Sequence, residues 1–331
     1  DSATADDRLT VGSTVTMEVV VTVPEGTLTN AVVDVGFSVS DMLSVVRVDS
    51  ITASSSDVTV VSSDFATVLG GVTVGAPDSG VVVSLGTLEN RNLDNAVPET
   101  VTLVIVAYGQ SAAGNVAADS VTITAELTSA AIGAGDVQDT AVMRTVEPAL
   151  SFVISPLTVQ RDAGDYVNYT VTVSNANGAF VGTGFNLELF DSSLTSSKYY
   201  VAEVTVGGVA TFTAGPGDGF APTGLGPGGV GTPTRIATHA SLASGADVIV
   251  GYSIVMALSV ESDEVVEPAL SVAWQSHPDS TYHVERNYTE GTPTTGQPDV
   301  EITSAAVTVS TTTDSATADD RLTVGSTVTM E

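Results

Sequence analysis

The chain has 331 residues, 39 of them acidic and 9 basic, for a formal net charge of −30; such a surface repels phosphate, which excludes nucleic acid as a partner. It has no cysteine and no run of eighteen apolar residues, so disulfides do not staple it and no helix of this segment inserts into a membrane. Valine, threonine, alanine, serine and glycine dominate while aromatic residues make up 5 %, which argues for an all-β fold and against a groove lined with rings.

In chain order, the first feature is a repeat. DSATADDRLTVGSTVTME occupies residues 1–18 and recurs unchanged at 314–331, an offset of 313 residues. Fixed-period self-similarity marks tandem architectures. A period this long should hold whole domains, and about 313 residues suggests two of them. The expected organisation is one period of a longer array: a first domain over 1–146, a second over 147–313, and the first strand region of the next repeat at 314–331.

Strand signals then follow at short intervals between Gly, Pro, Asn and Asp clusters. In TVTMEVVVTV (14–23), Val15, Met17, Val19, Val21 and Val23 share one face and the polar residues the other, the mark of a half-buried antiparallel strand. AVVDVGFSV (31–39) follows a turn, and further strands are predicted near 43–50, 57–62, 66–74, 80–87, 99–108, 119–127 and 138–146. So many short strands suit a Greek-key sandwich. GDYVNYTVTVSN (164–175) then repeats the pattern of GSTVTMEVVVTV (12–23), displaced by 152 residues. GADVIVGYSIVMAL (245–258) likewise answers PETVTLVIVAY (98–108), so two divergent copies of one plan alternate. VEPALS occurs at 146–151 and 266–271; the first copy is expected to be the linker and the second to lead into a strand, since SVAWQS (271–276) matches SVTITAEL (120–127).

The stretch VEPALSF…P…DAGDYVNYTVTVSNANG, followed by LASGADVIVGYSI and VAWQS…YHVERNYTEG…DVEITSAAVTV, resembles the conserved Ig-like repeat domains of giant bacterial and archaeal surface proteins. The resemblance covers most of the second domain and both ends of the first. LFDSSLTS (189–196) and FSVSDMLSV (37–45) depart from the family pattern after the third strand. The resemblance implies two tandem Ig-like antiparallel β-sandwiches serving as a spacer, stalk or filament unit outside the cell or on its surface.

Catalytic motifs are missing: there is no nucleophile elbow, HExxH or Walker loop, and the chain is expected not to be an enzyme. AGPGDGFAPTGLGPGGVGTP (214–233) lacks the GK[ST] ending of a phosphate cradle and reads as a long surface loop. His277, His283 and Glu285 are a weak zinc set, more simply read as surface residues. Calcium, which takes six to eight oxygens, is the cofactor to weigh against plain solubility. Candidate ligands are Asp136, Asp139, Glu147, Asp162 and Asp165 around the linker, with Asp319 and Asp320 at the next junction. Lys198 is the sole lysine, so only the second domain has a lysine for an isopeptide cross-link. Asn168 and Asn287 head N-glycosylation sequons, and 289–298 and 309–320 are Ser/Thr-rich. Trp274 is expected in the core.

These features point to a structural repeat unit of an extracellular filament, with adjacent identical repeats and other copies of the filament as partners. An adhesin module presenting loops to a receptor or glycan is the alternative.

Overall fold

The computed structural model describes residues 7–39, 42–74, 80–93, 98–111, 116–134, 136–194, 198–213, 234–278, 286–293 and 296–303. The first domain consists of β1 (Arg8–Thr10), β2 (Thr14–Thr22), β3 (Gly26–Phe37), β4 (Leu43–Ala53), β5 (Val58–Val60), α1 (Phe65–Gly71), β6 (Val81–Asn90), β7 (Thr100–Gly109), β8 (Ser120–Thr128) and β9 (Gln138–Val146). One sheet has the order β2-β7-β4 and the other β1-β9-β8-β3-β6-β5. Their apolar faces close on a core that includes Val21, Val33, Val35, Leu43, Leu85, Leu103, Ile105 and Ile123. Alternation places these residues inward, because successive side chains of a strand point to opposite faces.

The second domain runs through β10 (Leu150–Ser155), β11 (Thr158–Arg161), β12 (Tyr166–Asn175), β13 (Gly184–Asp191), β14 (Tyr199–Val206), β15 (Val209–Thr213), β16 (Thr234–Leu242), β17 (Asp247–Met256), β18 (Val265–Val266), β19 (Leu270–Gln275), β20 (Asn287–Glu290) and β21 (Asp299–Ile302). Its sheets have the orders β10-β12-β17-β14-β15, β16-β13-β19-β20 and β11-β21-β18. A separate core gathers Phe152, Val167, Tyr169, Val171, Leu189, Tyr252, Ile254 and Trp274. Central strand β17 pairs with β12 and β14, as β7 pairs with β2 and β4. Likewise β19 lies beside β13 as β8 lies beside β3. The internal duplication visible in the sequence is therefore a duplication of sheet topology.

One predicted strand is corrected. The 66–74 stretch begins in helix α1, because the Asp64 carboxylate accepts from the Thr67 amide at 2.6 Å and caps the first turn. Phe65, Val68 and Leu69 then have helical spacing and rest half-buried against the first core. The two VEPALS copies also share more than was expected. Each ends one strand at its Val and opens another at its Leu, with Val, Pro and Leu buried. The Glu differs most, buried at 147 and exposed at 267.

Leu103 has no exposed surface, and Leu103→Ala should cost about 2–5 kcal/mol in cavity and transfer terms. The only tryptophan, Trp274, lies in the second domain. Denaturant unfolding followed by far-ultraviolet circular dichroism should show the lowered first-domain transition, with the midpoint by tryptophan fluorescence lowered less.

Candidate functional site

The most built polar site lies where the two domains meet. Strand β9 ends at Val146 and β10 begins at Leu150, so the connection is Glu147, Pro148 and Ala149. Each backbone polar group of Glu147 is taken: its N–H donates to the Phe180 carbonyl at 3.2 Å, and its carbonyl accepts from Gly182 N–H at 3.0 Å. Asn175 holds the other end, its Oδ1 accepting from Ala149 N–H at 3.1 Å while its amide donates to the Gly182 and Leu242 carbonyls.

The Glu147 side chain is 5 % exposed and spans the boundary. Oε1 accepts from Val11 N–H of the first domain at 3.3 Å, and Oε2 accepts from the Tyr288 hydroxyl of the second at 2.5 Å. Tyr288 is fixed by stacking on Trp274, with ring centres 5.5 Å apart. Ser276 Oγ donates to the Val11 carbonyl at 3.2 Å, so both polar groups of the Val11 backbone bind across the junction. Gly12 follows at φ +88°, and a Cβ there would sit 3.3 Å from that of His277. The Arg144 guanidinium lies over the Phe180 ring, 5.6 Å from its centre.

Burial pushes the Glu147 carboxyl above the usual carboxylate range, opposed by the Tyr288 hydrogen bond, the Arg286 charge and the Val11 amide. The same burial and the neighbouring carboxylate push the Tyr288 hydroxyl upward. A second buried acid, Asp191, accepts from the hydroxyls of Tyr199 and Tyr252 at 2.7 Å each and from Ser193 N–H at 2.8 Å. Its pKa is raised by burial and opposed by those donors. Asp191 ties β13 to β14 and β17 inside one core, and all its partners are donors fixed within that domain.

The remaining described candidate acids do not gather into one cluster. Asp136 accepts from Gly133 N–H in its turn and Asp139 from Thr140 N–H on β9, while Asp165 accepts from Asp162 N–H in the turn that those two acids share. Among the described residues no group of three or more His, Asp or Glu is placed to hold a metal ion. Asp319 and Asp320 lie outside the described residues, as do His283, Glu285, the 214–233 loop and the 304–331 segment. Lys198 Nζ lies 2.8 Å from Glu264 Oε1 and also donates to the Ser259 carbonyl.

Asn168 is exposed on β12, where Ser253 Oγ donates to its Oδ1 at 2.7 Å. Asn287 is exposed at the start of β20. There it joins a row of amides across three strands, Asn186 donating to Gln275 and Gln275 to Asn287. This row floors a shallow hollow of about 530 Å³ with Glu188, Thr238 and Thr289. Trp274 belongs to the second core at 7 % exposure. From the sequence Glu147 is a candidate calcium ligand at the linker; here its two oxygens accept from Val11 N–H and the Tyr288 hydroxyl, the latter 141 residues away, and no local pattern joins the two.

No family model matches the sequence, and no curated protein matches it. Among solved structures the chain is similar to the C-terminal domain of the Streptococcus agalactiae AgI/II polypeptide BspA, at 10 % identity over 89 % of this chain and 94 % of that one, with a TM-score of 0.43. It is also similar to the N-terminal domain of the Streptococcus gordonii adhesin Sgo0707, at 9 % identity over 82 % and 56 % of the two chains, TM-score 0.27. A third is the CupB6 tip adhesin of Pseudomonas aeruginosa, at 12 % identity over 90 % and 94 %, TM-score 0.24. Scores below 0.5 carry no argument from these structures to this chain.

Glu147→Gln tests the junction. Because the folded carboxyl titrates above its unfolded value, its contribution is full below the ordinary glutamate range and is lost as pH rises through the folded value. Glutamine keeps an acceptor for Val11 N–H and removes the buried charge. The variant should therefore match or exceed the parent in stability at neutral pH. It should also lose part of the parent's stability gain on acidification, measured as denaturant midpoints between pH 4 and 8.

Proposed function

We propose that the chain is a non-catalytic structural unit of an extracellular or cell-surface filament or stalk, supplying reach and resistance to pulling. The observation that carries this is the junction: a three-residue connection whose one acidic side chain is buried between the two domains and bonded to both. A hinge meant to swing would leave that carboxylate in water. The unchanged eighteen-residue string at both ends supports a head-to-tail array of such units.

Strands rising ~3.3 Å per residue give each sandwich on the order of 40 Å with its loops, hence ~80 Å per two-domain period. Electron micrographs of the native full-length material should show fibres with an axial repeat near that length; compact particles would overturn the proposal. An adhesin is the second reading, favoured by the polar hollow over Asn186, Gln275 and Asn287. It requires that a glycan array bind the full chain, and that Gln275→Ala abolish that binding.

A further inference from the structure

The two domains differ at one edge. In the second, β10 lies along the outer side of β12, pairing Leu150 with Asn175 through Ser155 with Thr170. Its inward residues Leu150, Phe152 and Ile154 are buried, at 8 %, 1 % and 2 % exposure, and fill the gap between the sheets. In the first domain the strand equivalent to β12 is β2, and it is the edge of its sheet. Among the described residues nothing pairs with its outer side.

The space that β10 fills in one domain is a groove of about 350 Å³ in the other, open between β2 and the 137–141 stretch. Met17, Val19, Val21, Val33, Ile123 and Leu127 line it. Val15, Met17 and Val19 are only half-buried, whereas their counterparts Val167, Tyr169 and Val171 are fully buried. An unpaired strand above an apolar slot is a template for one more strand.

We propose that this edge is completed by residues 305–310 of a second copy of the chain. The sequence AAVTVS matches LSFVIS of β10 in length and alternation, with Ala305, Val307 and Val309 in the places of Leu150, Phe152 and Ile154. Its position in the chain also corresponds. β10 starts four positions after β9 ends, and residue 305 follows the end of β21 by three. The unchanged string at 314–331 places this segment immediately before a second occurrence of the β1 and β2 sequence.

Charge agrees with the choice. Glu18, Glu126 and Asp139 border the groove, and residues 303–313, TSAAVTVSTTT, carry no charge in a chain of net −30. Geometry selects a second copy over the chain's own groove. β21 runs parallel to β11, and Thr303 N–H donates to the Arg161 carbonyl. That is the pole of the second domain remote from Glu147, so Thr303 stands at the end away from the chain's own first domain. Contacts of this head-to-tail kind propagate as open filaments.

The displacement of 152 residues between β2 and β12 fixes the register. Val307 faces Val21, Val309 faces Val19, and Thr308 stands opposite Val20 on the solvent side. The chain has no native cysteine, and Val20 is 57 % exposed, so a single thiol there leaves the core intact. Full chains carrying Val20→Cys are mixed with full chains carrying Thr308→Cys under mild oxidation, beside a parallel mixture of Thr16→Cys with Thr308→Cys. Position 16 lies four residues along the strand, roughly 13 Å away, beyond the Cα separation of about 4.4–6.8 Å that a disulfide accepts.

The mixed dimer should form at least tenfold more in the first mixture. An excess of the peptide TSAAVTVSTTT should suppress it, as should Val307→Asp with Val309→Asp in the donor chain. Equal yields at positions 16 and 20, or a yield unmoved by the peptide and by the aspartates, would overturn the proposal. It rests on the filament reading only in taking a following copy as the recipient. Failed cross-linking removes strand insertion while the fibre's axial repeat is judged separately.

Discussion

Glu147 sits where two cores that share no residue meet, and its carboxylate is bonded to one group from each: the Val11 amide on one side and the Tyr288 hydroxyl on the other. A buried carboxylate is tolerated only when its lone pairs are satisfied, so the carboxylate constrains both domains to stay in place around it. The same residue uses its backbone to bridge Val181, continuing the sheet pairing past the end of β9. The junction therefore has the properties of a domain interior, with fixed donors and a stacked indole and phenol. Removing one partner would leave the other buried and unpaired, which costs about 1–3 kcal/mol.

Within each domain the sheets follow from side-chain alternation, and that alternation is what was legible beforehand. β-Branched residues at every second position define an inner face without reference to anything distant, so the fold class and the internal duplication could be read directly. Residues 65–71 could not, because Val and Thr there suggest extension while the capping carboxylate of Asp64 decides for helix. The acids show the same limit. Composition identifies them, but whether a carboxylate is solvated, as at Asp136, or enclosed by tyrosines, as at Asp191, depends on strands more than fifty residues apart.

The contrast between the two domains is instructive in the same terms. They share a central three-strand arrangement and the pairing around it, but one carries its first strand and the other shows an uncovered edge. Divergence at such an edge is not visible in either sequence alone, since β2 and β12 have the same alternation. It becomes visible only when the two topologies are compared strand by strand.

A junction that does not swing also fixes an angle. Any rotation it imposes between neighbouring modules is copied wherever the same residues recur, and equal rotations accumulate. A succession of such links would coil as a superhelix of constant pitch. In such an array the orientation in which Glu147 holds Val11 against Tyr288 would contribute the same fixed share of turn to every period.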